Sequence, residues 1–419
     1  LPDGYSQIAY SYNRNGLVER ETYLLDGAPV STKGGYAAIA YEYDAFGRKS
    51  KEAYLDADMR RVALPAGYSA IAYVYDAAGN ALRVSYLDAA DQLTRLPEGF
   101  SIWQREYDEN NRVLVEQFLD EHEKIASLTS RHAAVRRLYD GQGRLIRIEY
   151  LDGSLQPVMI AAGYAAVEYE YDDDGRLTLT RYKDDGDAPI RLSSGYASVA
   201  NVYGDQGVVW RTIYQDEDGL AVVMKDGYAA VDFTYDENKR VVRADYLDDE
   251  YAPAIIAAGY ASLTRTVDKN GNILTESYFD ELGAPVACTA GYAAIKTAYD
   301  SRDRAVGIAY FAADGAATAI EAGYASLART LDNAGNITRE SYYDRDGQPI
   351  WCKYGYASVL NEFDPSGNLV RRRYLTVQGN PAVHTAYQYS SMERELNDRG
   401  DIVAERYFDP QGLPAVSNA

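Results

Sequence analysis

Histidine and cysteine are nearly missing from this sequence: three His and two Cys among 419 residues. That scarcity argues against multi-His metal centres, cysteine-rich zinc sites and a disulfide framework, and much familiar enzymology goes with them. Basic residues are also short. Lys and Arg number 42 against 63 Asp and Glu, a net charge of -21, which disfavours nucleic acid and anionic membrane surfaces as partners. No stretch approaches the roughly 18 to 20 apolar residues that cross a bilayer, and no basic-then-apolar leader opens the chain, so membrane insertion is not expected. Phenylalanine is sparse too, with 8 Phe beside 40 Tyr. Burial of aromatic area alone would not select the ring that carries a hydroxyl.

The tyrosines are positional. Gly-Tyr pairs begin at Gly4, Gly35, Gly67, Gly163, Gly195, Gly227, Gly259, Gly291, Gly323 and Gly355, with Gly99-Phe100 and a degenerate Arg131-His132 filling the gap in phase. A last unit, one residue late, carries Gln388-Tyr389. Residues 1–419 therefore read as one repeat domain of about 13 units of about 32 residues, starting near 4, 35, 67, 99, 131, 163, 195, 227, 259, 291, 323, 355 and 388. The opening Leu1-Pro2-Asp3-Gly4-Tyr5 matches the joint Leu64-Pro65-Ala66-Gly67-Tyr68, and Ala419 falls where another unit would start. Both cuts suggest a segment of a longer protein.

Within a unit, apolar positions alternate, as in Ala37-Ala38-Ile39-Ala40-Tyr41-Glu42-Tyr43, the period of a strand. Asp172-Asp173-Asp174-Gly175 reads as a tight turn into the β-prone Arg176 to Tyr182, and a second Asp-x-x-Gly-x-Pro turn follows. Such hairpins must share a core with their neighbours. The expected fold is all-β: an elongated array of thirteen stacked β-hairpin repeats, a β-solenoid or spiralling antiparallel sheet, extending roughly 125 Å at two strands per unit. A closed propeller fits the unit length less well.

The element Tyr-Asp-x-x-Gly-Arg/Asn-Leu/Ile, seen in Tyr139 to Leu145, in Tyr171 to Leu177 and, with Val267 for Tyr, in Asp268 to Ile273, resembles the YD repeat of Rhs, teneurin and insecticidal toxin-complex proteins. The resemblance implies a spiralling β-sheet shell, which in toxins encloses a cargo domain. The family's unit is usually shorter, and the Gly-Tyr-Ala/Ser and Tyr-Leu-Asp-x-x-Gly-x-Pro elements here are additional.

Three recurrent Tyr positions offer either a core ladder or a sugar-binding surface. The ladder reading takes Tyr23, Tyr54, Tyr86, Tyr150, Tyr182, Tyr214, Tyr246, Tyr278, Tyr310, Tyr342, Tyr374 and Tyr407, with Phe118 as the one departure, and adds the second position, Tyr171 in its unit. A fourth, variable slot holds Tyr10, Tyr41, Tyr73 and Tyr169 in some units and Arg105, Arg137, Arg265, Arg329 and Arg394 in others. A sealed core would resist arginine, so these four tyrosines are the expected exposed, ligand-binding row. Runs such as Asp216-Glu217-Asp218-Gly219 and Asp344-Arg345-Asp346-Gly347 are read as turns before calcium ligands, since no EF-hand or nonapeptide calcium repeat is present. His122, His132 and His384 share no spacing, His132 falling at a Tyr slot. Cys288 and Cys352, two units apart, are expected to be free thiols.

No catalytic residues, metal or cofactor are expected, and no enzymatic activity. The sequence reading is a non-catalytic, acidic, tyrosine-rich extracellular scaffold of bacterial surface type, serving adhesion to a carbohydrate or protein ligand through a tyrosine-bearing face. The alternative is a structural shell or filament, including a cargo-enclosing toxin shell of YD type. Uncapped sheet edges at the repeat ends also invite self-association.

Overall fold

The computed structural model describes residues 4–397 and 400–417; the joint residues Leu1, Pro2 and Asp3 and the terminal Ala419 lie outside this range. Its secondary structure is all-β, with 27 strands and no helix among the described residues. The repeat dictates the pattern. A six-residue leading strand, such as Ala166–Tyr171, turns into a seven-residue return strand, Leu177–Lys183, in the antiparallel register Val167↔Tyr182, Glu168↔Arg181 and Tyr169↔Thr180. The turn itself closes through Asp172 N–H donating to the Arg176 carbonyl at 3.0 Å and Gly175 N–H donating to the Asp172 carbonyl at 3.0 Å. Gly175 has φ of 79°, and the ladder slips by one residue at Tyr171, as in a hairpin closed by a left-handed residue. The second turn then brings Pro189 back to bridge Lys183.

Contacts divide the chain into two compact units, 1–199 and 200–419. In the first, each return strand pairs with the leading strand of the next hairpin, as Leu145–Leu151 does with Ala166–Tyr171 through Ile148↔Val167. The second repeats this scheme, with Val241–Leu247 against Ser262–Val267 through Ala244↔Leu263.

Strand alternation gives each hairpin two faces. Val167, Tyr169 and Tyr171 share one with Tyr182, while Ala166 and Glu168 face the other way. The Ala/Ser position after Gly-Tyr closes the open end of each hairpin: Ala37 N–H donates to the Leu55 carbonyl at 2.7 Å and Ala165 N–H to the Lys183 carbonyl at 2.7 Å. Ala37, Ala133 and Ala165 are fully buried there, which leaves room for nothing larger than Ala or Ser.

Candidate functional site

The most regular feature of the repeat is an aromatic ladder. Its rungs are the return-strand tyrosine and the tyrosine of Gly-Tyr, in alternation. In the first unit Tyr5, Tyr23, Tyr36, Tyr54, Tyr68 and Tyr86 follow one another at centroid spacings of 4.8, 5.6, 5.1, 5.9 and 5.1 Å, mostly edge to face. Phe100, Phe118 and His132 continue it, His132 lying 5.8 Å from Phe118 and 5.1 Å from Tyr150, and Tyr164 and Tyr182 carry it on. In the second unit the run from Tyr214 through Tyr246, Tyr278, Tyr310, Tyr342 and Tyr374 to Tyr407 contains tyrosine at every rung. Burial pushes the phenols of Tyr150, Tyr182, Tyr324 and Tyr356 up to about 12.

Tyr171 is not a rung. It ends the leading strand beside the turn, whereas Tyr182 pairs with Val167 at the strand's other end. The Gly-Tyr tyrosine, just ahead of the strand, takes the neighbouring rung instead. Tyr171 donates its hydroxyl to the Leu145 carbonyl of the preceding repeat at 2.8 Å, and Tyr43 and Tyr235 do likewise to Val18 at 2.7 Å and Val209 at 2.6 Å. This row latches one repeat to the one before it.

The four tyrosines of the variable slot do not form one exposed row. Tyr10 is 48% exposed, but Tyr41 is 8% exposed beneath the Lys49 ammonium, which lies 3.8 Å from its ring centroid. Tyr73 and Tyr169 are half-buried, and the Tyr73 hydroxyl donates to Glu52 at 3.1 Å. Except at Arg137, which faces Ile148, arginine is accommodated in the same slot by a carboxylate directly across the hairpin. Arg265 donates to Glu276 at 2.6 Å, Arg329 to Glu340 at 2.7 Å and Arg394 to Glu405 at 2.6 Å, and Arg105 pairs with Glu116 in the same way. The ladder completes the set: Tyr278, Tyr342 and Tyr407 donate their hydroxyls to those same glutamates at 2.6, 2.6 and 2.7 Å. The pairing was available in the sequence as a Glu eleven residues after each of these arginines, a spacing that only the hairpin register makes meaningful.

The turn carboxylates are occupied by their own turns. Asp172 Oδ1 accepts from the N–H groups of Asp174 and Arg176 at 3.0 and 2.9 Å, and Oδ2 from Arg176 Nε at 2.7 Å. These bonds hold its carboxyl below the usual range. Asp216 and Asp344 make the same pair of backbone bonds. Arginine after the turn glycine also reaches onward: Arg48 Nη1 donates to the Asp76 carbonyl of the next repeat at 2.7 Å, and Arg304 Nη1 to that of Asp332 at 2.8 Å. Among the described residues no group of three or more His, Cys, Asp or Glu is placed to hold a metal ion.

The histidines have separate settings. His122 sits on an exposed turn, His132 is a rung, and His384 is buried at the widened joint, 4.2 Å from the Tyr387 ring and 5.0 Å from Tyr374. His384 Nδ1 accepts from the N–H groups of Ala386 and Tyr387 at 3.2 and 3.3 Å. Cys288 and Cys352 are both free thiols, the latter buried in a core cluster with Tyr342, Tyr356 and Tyr374.

Tyr-Asp hairpin turns, repeat-to-repeat tyrosine latches and a ring ladder within each unit together define an all-β array of tandem antiparallel hairpins. Comparison with solved structures places a particular fold beside it. The crystal structure of TcdB2-TccC3-TEV matches over 98% of this chain with a TM-score of 0.53 and 13% identity. The crystal structure of TcdB2-TccC3 aligns with 99% of this chain at 11% identity and a TM-score of 0.27, and a porin-like protein from Bacteroides uniformis with 64% at 10% identity and a TM-score of 0.19. At 13% identity the first likeness is one of fold, and the chain spans only 19% of that TcdB2-TccC3-TEV chain, as it spans 26% of the TcdB2-TccC3 chain and 87% of the porin-like one. No protein-family profile matches the chain, and no curated protein does.

Proposed function

We propose that this chain is a stretch of wall in a non-catalytic structural shell, part of a secreted or bacterial-surface protein. The observation that carries the reading is its fold likeness to TcdB2-TccC3-TEV across nearly its whole length. The local geometry supports it, because most of the variable-slot residues are engaged in holding the array together. Tyr41 is buried, Tyr73 is bonded to Glu52 of the preceding repeat, and four of the five slot arginines are matched by cross-strand glutamates. Backbone pairing, hydroxyl latches and arginine bridges all run from repeat to repeat, the construction expected of a wall whose task is continuity. The charge of -21 keeps nucleic acid and anionic membranes out of this scheme.

The test is small-angle scattering and electron microscopy of the purified chain, alongside a glycan array with a variant carrying Tyr10, Tyr41, Tyr73 and Tyr169 changed to Ala. A wall curving round a lumen, with no glycan binding that depends on Tyr10, Tyr41, Tyr73 and Tyr169, is the expected result. An open rod that binds glycans, and loses them in the variant, would overturn the shell in favour of adhesion.

A further inference from the structure

On the ladder face, four of the five variable-slot arginines are matched by a glutamate across the hairpin, as Arg329 is by Glu340, while Arg137 faces Ile148. One repeat inverts the arrangement. Asn361 fills the slot, and the residue facing it is Arg372, so the cation has moved to the return strand and the carboxylate is gone. Arg372 Nε donates to Asn361 Oδ1 at 2.8 Å, and Asn361 Nδ2 donates in turn to the Ile337 carbonyl at 2.9 Å. Among the described residues no carboxylate forms an ion pair with Arg372, although its neighbours Arg371 and Arg373 pair with Glu393 and Glu362. A half-buried guanidinium without a counter-charge is costly to the protein that keeps it.

Arg372 also lines an open cleft of about 260 Å³, with Glu340, Tyr342, Tyr356, Asn361 and Tyr374. Glu340 is the acidic group in that lining, and it is already engaged by Arg329 at 2.7 Å and by the Tyr342 hydroxyl at 2.6 Å. With Nε held by Asn361, the guanidinium is left with its two Nη groups, the edge that grips a carboxylate through parallel hydrogen bonds.

We propose that Arg372 anchors a ligand site on the ladder face for a small hydroxylated carboxylate, a sugar acid being the class whose size and polarity fit the cleft. The carboxylate takes the place of the glutamate found in neighbouring repeats, the Asn361 amide meets a ring hydroxyl, and the tyrosines supply the walls. The site stands on its own geometry and holds whether or not the array is a shell.

Calorimetric titration of the whole chain with D-glucuronate, with glucose and inorganic phosphate as comparators, tests it. Expected is saturable glucuronate binding that exceeds glucose binding and weakens about tenfold in Arg372→Gln, the effect of one lost charge-assisted contact. The double variant Asn361→Arg, Arg372→Glu rebuilds the pair of the neighbouring repeats, and should stay folded by circular dichroism yet bind no glucuronate. The proposal falls if folded wild type shows no saturable glucuronate binding, if Arg372→Gln binds it unchanged, or if phosphate binds and glucuronate does not.

Discussion

The units 1–199 and 200–419 solve one local problem differently. In every repeat the corner of the second turn sits in the left-handed region. The first unit fills most of these corners with side chains: Met59, Asp91, Glu123, Leu155 and Asp187 have φ between 60° and 68°. The second uses Gly219, Gly283, Gly315, Gly347, Gly379 and Gly412, with Tyr251 as the exception. A non-glycine residue there costs about 1–2 kcal/mol. The first unit recovers part of that cost through contacts with the preceding repeat: Lys51 meets Asp91 at 2.8 Å, Arg83 meets Glu123 at 2.9 Å and Arg147 meets Asp187 at 2.5 Å. Tyr251 obeys the same rule, its ring lying 4.9 Å from the Arg211 guanidinium. A left-handed corner can thus carry a cross-link, as at Asp91, Glu123, Asp187 and Tyr251, or be relaxed by glycine.

The largest expected difference between the units comes from alkali. Ladder phenols with folded values raised to about 12 contribute stability that is complete below their ordinary value of 10.0 and is lost as the pH climbs from there towards 12. The second unit's ladder is tyrosine at every rung, while the first is interrupted by Phe100, Phe118 and His132. Hydrogen exchange across pH 10 to 12 is therefore expected to open 200–419 before 1–199; simultaneous opening would break the comparison.

Acid should act on both units through one histidine each. Burial depresses the folded values of His132 and His384 below 6.5, so each contributes stability that is full above 6.5 and is lost as the pH falls below it. For His384, protonation also removes the acceptor of the Ala386 and Tyr387 N–H groups. Arg372 is the charged group that opposes its protonation, and the rings around it are Tyr354, Tyr356, Tyr374 and Tyr387. His132→Tyr, which restores an ordinary rung, is expected to remove the acid sensitivity of the first unit and leave that of the second, read from thermal melts at pH 7 and pH 5.

The corners can be exchanged directly. Gly219→Ala adds left-handed strain with no partner gained and should cost about 1–2 kcal/mol. Asp187→Ala keeps the strain and loses the Arg147 contact, whereas Asp187→Gly loses the contact but also relieves the strain, and should be up to about 1 kcal/mol more stable than wild type, since exposed ion pairs contribute little. Denaturant melts rank the three; Asp187→Gly as damaging as Gly219→Ala would mean that the link, and not the strain, dominates.

Much of this architecture was legible because a 32-residue period repeats the same hairpin, so turn residues and strand alternation reinforce one another from unit to unit. The corner links were not. Arg147 and Asp187 are forty residues apart, which puts them in different columns of a 32-residue alignment, and only the strand register brings them together. The ladder was half legible for a related reason: Tyr182 lies in a strand and Tyr164 just ahead of one, so alternation counted from the strand picks Tyr171 and misses the true rung.

The smallest expected effect tests the buried position after Gly-Tyr. The second unit places Ala229, Ala261, Ala293, Ala325 and Ala357 there, with Ser390 at its last joint, while the first has Ser69 and Ser101, fully buried with hydroxyls that find no hydrogen-bond partner among the described residues. An unsatisfied buried hydroxyl costs about 1–3 kcal/mol, part of which packing around the oxygen returns. Ser101→Ala removes the oxygen, leaves the Ser101 N–H bond to the Leu119 carbonyl intact, and should stabilise the first unit by about 1 kcal/mol in a denaturant melt. A loss of stability instead would show that the hydroxyl is satisfied in solution, by water reaching the joint, and that the first unit is less tightly closed at this position than the second.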